Sequence, residues 1–133
     1  MKDNDFFGVK KYNGQYQAFI FYRGNKYTSN YESEELAKLR RLTWELTYFG
    51  ERATQIRLIK SEYPYLLGYL QVCDFMNFND DMETIRDIGK RLITDPHCPC
   101  MVKKIPETVC PCLPCRTKQR CCCEMYKAKE NKN

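Results

Sequence analysis

The apolar positions of this chain change period along its length. Over residues 6–31 they form short runs separated by turn residues, which predicts three antiparallel strands: Phe6 to Lys11, Gln15 to Tyr22 and Lys26 to Tyr31. Asn13-Gly14, a strong hairpin signal, separates the first two, and Arg23-Gly24-Asn25 turns the chain again. Alternate residues share a face. Tyr16, Ala18 and Ile20 of the second strand are therefore placed toward a helix. Gln15, Gln17, Phe19 and Phe21 are placed outward, with Lys10, Tyr12 and Phe7 beside them. From residue 33 the period becomes helical. Ser33 reads as an N-cap with Glu34 and Glu35 in the first turn. Leu36, Leu39, Leu42 or Thr43, Leu46 and Phe49 make the apolar stripe, and Gly50 is the expected stop. Lys38, Arg40 and Arg41 read as a solvated helix face.

The pattern weakens over residues 52–78. Tyr63-Pro64 breaks any helix there. Residues 65–70 are apolar enough for either a helix or a buried strand, and Cys73 reads as a small buried hydrophobe. This segment is expected to connect two units and to bury surface between them. Asn79-Asp80 then caps a second clear helix, with Asp80, Asp81 and Glu83 at its start. Met82, Ile85, Ile88 and Leu92 share one face, and Asp95-Pro96 ends the helix. The expected fold class is α+β: a small three-stranded antiparallel sheet plus helix over 1–55, a connecting segment over 56–78, and a helical, cysteine-rich unit over 79–133.

Composition adds limits. Of the 133 residues, 43% are hydrophobic, enough for a globular core, so disorder is not the default. No apolar run is long enough for a transmembrane helix, so no membrane partner is expected. The net charge of +5 suits an acidic partner, whether nucleic acid or an acidic protein.

The cysteines change the picture most. Eight of the nine lie between Cys98 and Cys123: Cys98-Pro99-Cys100, Cys110-Pro111-Cys112, Cys115 and Cys121-Cys122-Cys123. Three chemistries compete for them. A disulfide framework needs an oxidising compartment, and Met1-Lys2-Asp3-Asn4-Asp5 starts no secretory signal, so a reducing, cytoplasmic setting is expected. Structural zinc usually takes two C-x2-4-C pairs, a spacing this window supplies poorly. An iron–sulfur cluster takes four thiolates and leaves others for redox work. In extended backbone a C-x-C pair places both sulfurs on one side, and the intervening proline fixes φ. Lys103, Lys104, Arg116, Lys118 and Arg120 surround the cysteines, and positive charge favours thiolates.

The window resembles the catalytic chain of ferredoxin–thioredoxin reductase, whose pattern is C-P-C, a spacer, C-P-C, about eight residues, then C-H-C. Asp95-Pro96-His97 and Glu124-Met125-Tyr126 resemble its flanks, and the likeness covers roughly residues 79–128. The resemblance implies that Cys98, Cys110, Cys112 and Cys121 hold a [4Fe–4S] cluster. It implies that Cys100 and Cys123 are the redox-active pair, with Cys100 attacking the target disulfide. A ferredoxin-like electron donor and a thioredoxin-like protein substrate follow as the implied partners. The family's last histidine is Cys122 here. His97, the chain's one histidine, reads as a bystander, with proton donation as the alternative. Cys115 and Cys122 remain spare.

A weaker resemblance covers residues 6 to about 55. Phe7-Gly8-Val9, the run from Gly14 to Ile20, Tyr31 to Lys38 and Tyr48-Phe49-Gly50-Glu51 are similar to the AP2-type DNA-binding domain. That family reads the major groove with its outer sheet face, mostly through Arg and Trp. Here that face is largely aromatic, and the second strand has no Arg for bidentate base contacts. Packing against the cysteine unit or a protein partner is the leading expectation for the face, and DNA binding is the alternative.

Overall fold

The computed structural model describes residues 7–74, 76–95 and 125–128. The chain divides into two units, Met1–Leu58 and Ile59–Asn133.

In the first unit, strands β1 (Val9–Tyr12), β2 (Gln15–Tyr22) and β3 (Asn25–Tyr31) form an antiparallel sheet in the order β1-β2-β3. The register pairs Tyr12 with Gln15 and Val9 with Ala18, then Tyr22 with Asn25 and Tyr16 with Tyr31. Both hairpins close through two residues at positive φ: Asn13 (50°) and Gly14 (78°), then Arg23 (51°) and Gly24 (82°). Such turns match the twist of the flanking strands, so the β2 bounds agree with the expected ones. β1 starts at Val9, after Gly8, whose φ of 98° leaves strand geometry; Phe6, the expected first residue of this strand, lies outside the described residues. Helix α1 (Glu34–Phe49) follows the Ser33 N-cap and ends at Gly50. Ala18 and Ile20 of β2 and Leu39, Leu42 and Leu46 of α1 are fully buried, which makes the sheet–helix interface the core of this unit.

Arg41 is not on the solvated face. Only 7% of it is exposed, because its neighbours satisfy the guanidinium. Nε donates to Glu45 Oε2 at 2.7 Å and Nη1 to the Phe19 carbonyl at 2.6 Å. Gly8 makes the space: a Cβ there would stand 2.4 Å from Arg41 Cδ. Phe7 also departs from expectation. Its ring lies 5.2 Å from the Arg41 guanidinium rather than joining the outer face.

The division between units falls within α2 (Ile56–Glu62). Tyr63 follows α2, and Pro64 opens a 3-10 turn, Pro64–Gly68, that leads into α3 (Tyr69–Val72). The apolar run at 65–70 is thus helical, with Leu66 and Tyr69 buried. Strand β4 (Met76–Phe78) precedes α4 (Met82–Thr94) and pairs antiparallel with β5 (Tyr126–Ala128), Met76 opposite Ala128 and Phe78 opposite Tyr126. Asp81 is the N-cap of α4, accepting from the Glu83 backbone N–H and the Thr84 hydroxyl, both at 3.0 Å. Asn79 supports it by accepting from Asp81 N at 2.9 Å. Met82, Ile85, Ile88 and Leu92 are buried, as the period predicts. The Tyr69 and Phe78 rings stack at 4.5 Å and Phe78 meets Tyr126 at 5.6 Å, which ties α3, β4 and β5 together. Among the described residues no helix is long and apolar enough to cross a membrane.

Candidate functional site

The outer face of the three-stranded sheet carries side chains placed by register alone. Lys10 lies opposite Gln17, Gln17 opposite Asn30, Phe19 opposite Thr28 and Phe21 opposite Lys26. Lys10 Nζ, from β1, stands 5.7 Å from the Phe19 ring centre, and Lys26 Nζ, from β3, stands 5.6 Å from it on the other side. Lys26 is also 5.6 Å from Phe21, and Lys10 is 5.8 Å from Tyr12. An ammonium over a ring face at an exposed site gains about 0.5–1 kcal/mol, enough to bias the lysines without fixing them. Phe21 is 61% exposed and Tyr12 47%. Gln17 Nε2 donates to Asn30 Oδ1 at 3.1 Å. Residues 7–31 contain four cations, Lys10, Lys11, Arg23 and Lys26, and no carboxylate.

The opposite side of the sheet holds this face in register. Arg41 fixes the Phe19 carbonyl, and Phe19 N donates to the Gly8 carbonyl at 2.8 Å. Glu45, fully buried, accepts four hydrogen bonds: from Arg41 Nε (2.7 Å), Gln55 Nε2 (2.7 Å), Gln55 N (2.8 Å) and the Thr54 hydroxyl (2.9 Å). Gln55 Nε2 also donates to the Phe7 carbonyl at 3.1 Å. The network clamps the start of the sheet to the end of α1. Beyond it, Tyr48 stacks on Tyr22 (4.6 Å) and Tyr27 (5.4 Å). Burial raises the Tyr48 phenol above its usual pKa, the neighbouring Tyr27 and Tyr22 add to the rise, and Arg40 opposes it. These side chains support the face and do not form part of it.

The candidate cysteine cluster of the second unit falls between α4 and β5 along the chain. Cys98, Cys100, Cys110, Cys112, Cys121 and Cys123 lie outside the described residues, as do Cys115, Cys122 and His97. Cys73 is described: it is half-buried, and its Sγ lies 3.7 Å from the Leu70 carbonyl that it faces. Among the described residues no group of three or more His, Cys, Asp or Glu is placed to hold a metal ion. The chain enters the cysteine window from the end of α4 and leaves it at Met125, which is buried and accepts from Asn79 N at 3.0 Å. Asn79 sits just before α4, and the 13 residues of α4 span about 20 Å. Cys98 follows Asp95 by three residues and Cys121 precedes Met125 by four. A groove of about 360 Å³ between the 3-10 turn and the end of α4, lined by Pro64, Tyr65, Leu67, Gly68, Gln71, Leu92 and Ile93, adjoins this entry.

Sequence reasoning missed the Arg41–Glu45–Gln55 clamp and β5. The clamp depends on acceptors far along the chain. β5, like β4, is only three residues long, and nothing in the sequence pattern placed a strand there. No family model matches this chain, and no match is found among curated proteins or solved structures.

Proposed function

We propose that the chain is an iron–sulfur disulfide reductase, taking electrons from a ferredoxin-like donor and delivering them to a thioredoxin-like protein disulfide. The observation that carries this reading is the ordered set Cys98-Pro99-Cys100, Cys110-Pro111-Cys112 and Cys121-Cys122-Cys123 within one short window. Cys98, Cys110, Cys112 and Cys121 supply the four thiolates that a [4Fe–4S] cluster takes. When bound, the cluster supplies one-electron transfer between a one-electron donor and a two-electron disulfide. The Cys100 thiolate attacks one sulfur of the target disulfide, and the other sulfur leaves as a thiolate. The Cys123 thiolate then attacks Cys100 Sγ in the mixed disulfide, which releases the second target thiolate and closes a Cys100–Cys123 disulfide. Two electrons from the donor and two protons from solvent return that pair to dithiols. Typical potentials of about −400 mV for the donor and −270 mV for the acceptor leave roughly 6 kcal/mol in favour of reduction.

Cys100→Ser and Cys123→Ser, made separately, test the pair. Each variant is expected to keep the visible absorbance of the metal centre and to lose reduction of a thioredoxin disulfide by reduced ferredoxin. Turnover surviving in either variant contradicts the assigned pair.

The outer sheet face supports a second reading of the first unit as an AP2-like nucleic-acid contact, with the cysteine segment as a metal-binding or redox-sensing tail. The observation favouring it is the carboxylate-free, fourfold cationic sequence of residues 7–31.

A further inference from the structure

The same face points to a particular class of nucleic acid. Duplex recognition through base edges needs side chains that offer paired donors and acceptors in the groove. On β2 the outward positions around the middle of the sheet are Phe19 and Phe21, which offer none, and the Gln17 amide is engaged with Asn30 at 3.1 Å. What the face does offer is ring surface. Phe21 and Tyr12 are the most exposed rings on it, at 61% and 47%, and Phe19 lies between them in the register. Cations flank that surface on both sides. Lys10 and Lys26 reach Phe19 from β1 and β3, strands two sheet spacings or about 10 Å apart. A base lying on these rings would have an ammonium group available on either side for the phosphates that precede and follow it. Stacking on aromatic side chains inside a basic surface is how single strands are held without sequence readout. In a duplex the base faces are already stacked on one another and are closed to such rings.

Resting on the reading of this face as a nucleic-acid contact, we propose that the outer sheet face of the first unit binds single-stranded nucleic acid by stacking bases on Phe21, Phe19 and Tyr12 between Lys10 and Lys26. An acidic polypeptide would meet the same cations but has no flat partner for the rings.

The test is fluorescence anisotropy on the full chain. The probes are labelled oligothymidine and oligouridine of about a dozen nucleotides, within the span of one small binding module, and a mixed-sequence duplex of equal length. Each is measured over a range of salt, with polyglutamate as competitor. The expected result is that single strands bind more tightly than the duplex, and that polyglutamate displaces them poorly. Relative affinity for the two single strands then identifies DNA or RNA as the source. Phe21→Ala is expected to weaken binding by about 5- to 160-fold, the range for loss of one stacked base, with an unchanged salt slope. Lys26→Gln is expected to lower the slope of log affinity against log salt by about 0.7. Both side chains are exposed, and the unfolding midpoint followed by Trp44 fluorescence checks that each variant is folded. Tighter duplex binding, or no effect of Phe21→Ala, overturns the single-strand proposal and leaves the nucleic-acid reading standing. Absence of binding to every probe at low salt, or equal displacement by polyglutamate, overturns both.

Discussion

Glu45 is a buried charge at the centre of the first unit's clamp. Its carboxylate is fully buried and is compensated by Arg41, by the backbone and side chain of Gln55, and by Thr54. Removing one partner of a buried ion pair costs about 3–5 kcal/mol, because the other charge is left without compensation. Glu45→Gln keeps the shape and removes the charge, so it should destabilise the first unit by an amount in that range. Urea unfolding followed by Trp44 reads this directly, since Trp44 is the one tryptophan of the chain and lies on α1. A midpoint close to that of the parent protein would show that the pair is dispensable. None of this was legible in the sequence. Arg41 follows Lys38 and Arg40 in a basic run, and charge pattern alone assigns such a run to water. What overrides the pattern is the Phe19 carbonyl, 22 positions away, and the missing Cβ of Gly8. Neither shows in a local window.

Among the elements, those with a full period or a specific turn were legible. Asn13-Gly14 and Arg23-Gly24 fixed the ends of β2, and Met82, Ile85, Ile88 and Leu92 set the buried face of α4. β4 and β5 were not legible, because three residues cannot establish alternation. β4 also pairs with a strand nearly 50 positions further on. The seven residues of α2 lack enough turns to separate helix from coil by pattern. One detail of α4 gives an element-level prediction. A Cβ on Gly89 would stand 2.4 Å from the Tyr65 ring, so the helix contacts the 3-10 turn through the space that glycine leaves. Alanine is the better helix former by about 1 kcal/mol, yet Gly89→Ala should destabilise the second unit by about 1–3 kcal/mol through overpacking. In a Tyr65→Ala background the same substitution should be neutral or stabilising. Thermal unfolding by circular dichroism across the four proteins of this cycle measures the coupling, and additive effects would contradict the contact.

At the scale of the whole molecule, two units of different chemistry share one chain: a sheet with a basic aromatic face, and a helical frame from which a cysteine-dense segment departs and to which it returns. In that segment residue type and order are legible, as three C-x-C elements, and the proposed chemistry rests on them. The geometry was not, since spacing along the chain does not state which sulfurs meet. The contribution of the fold is the frame: α4 delivers the chain to Cys98, and the buried Met125 and Tyr126 receive it after Cys123.

The proposed reductase needs a four-thiolate iron–sulfur cluster in the cysteine window rather than a structural zinc. Analysis of iron, acid-labile sulfide and zinc on anaerobically purified full chain, grown with iron supplied, tests it most directly. The expected result is about four irons and four sulfides per chain, the content of one [4Fe–4S] cluster, together with a brown visible spectrum. About one zinc per chain with no iron would contradict it and would leave the cysteines as scaffolding.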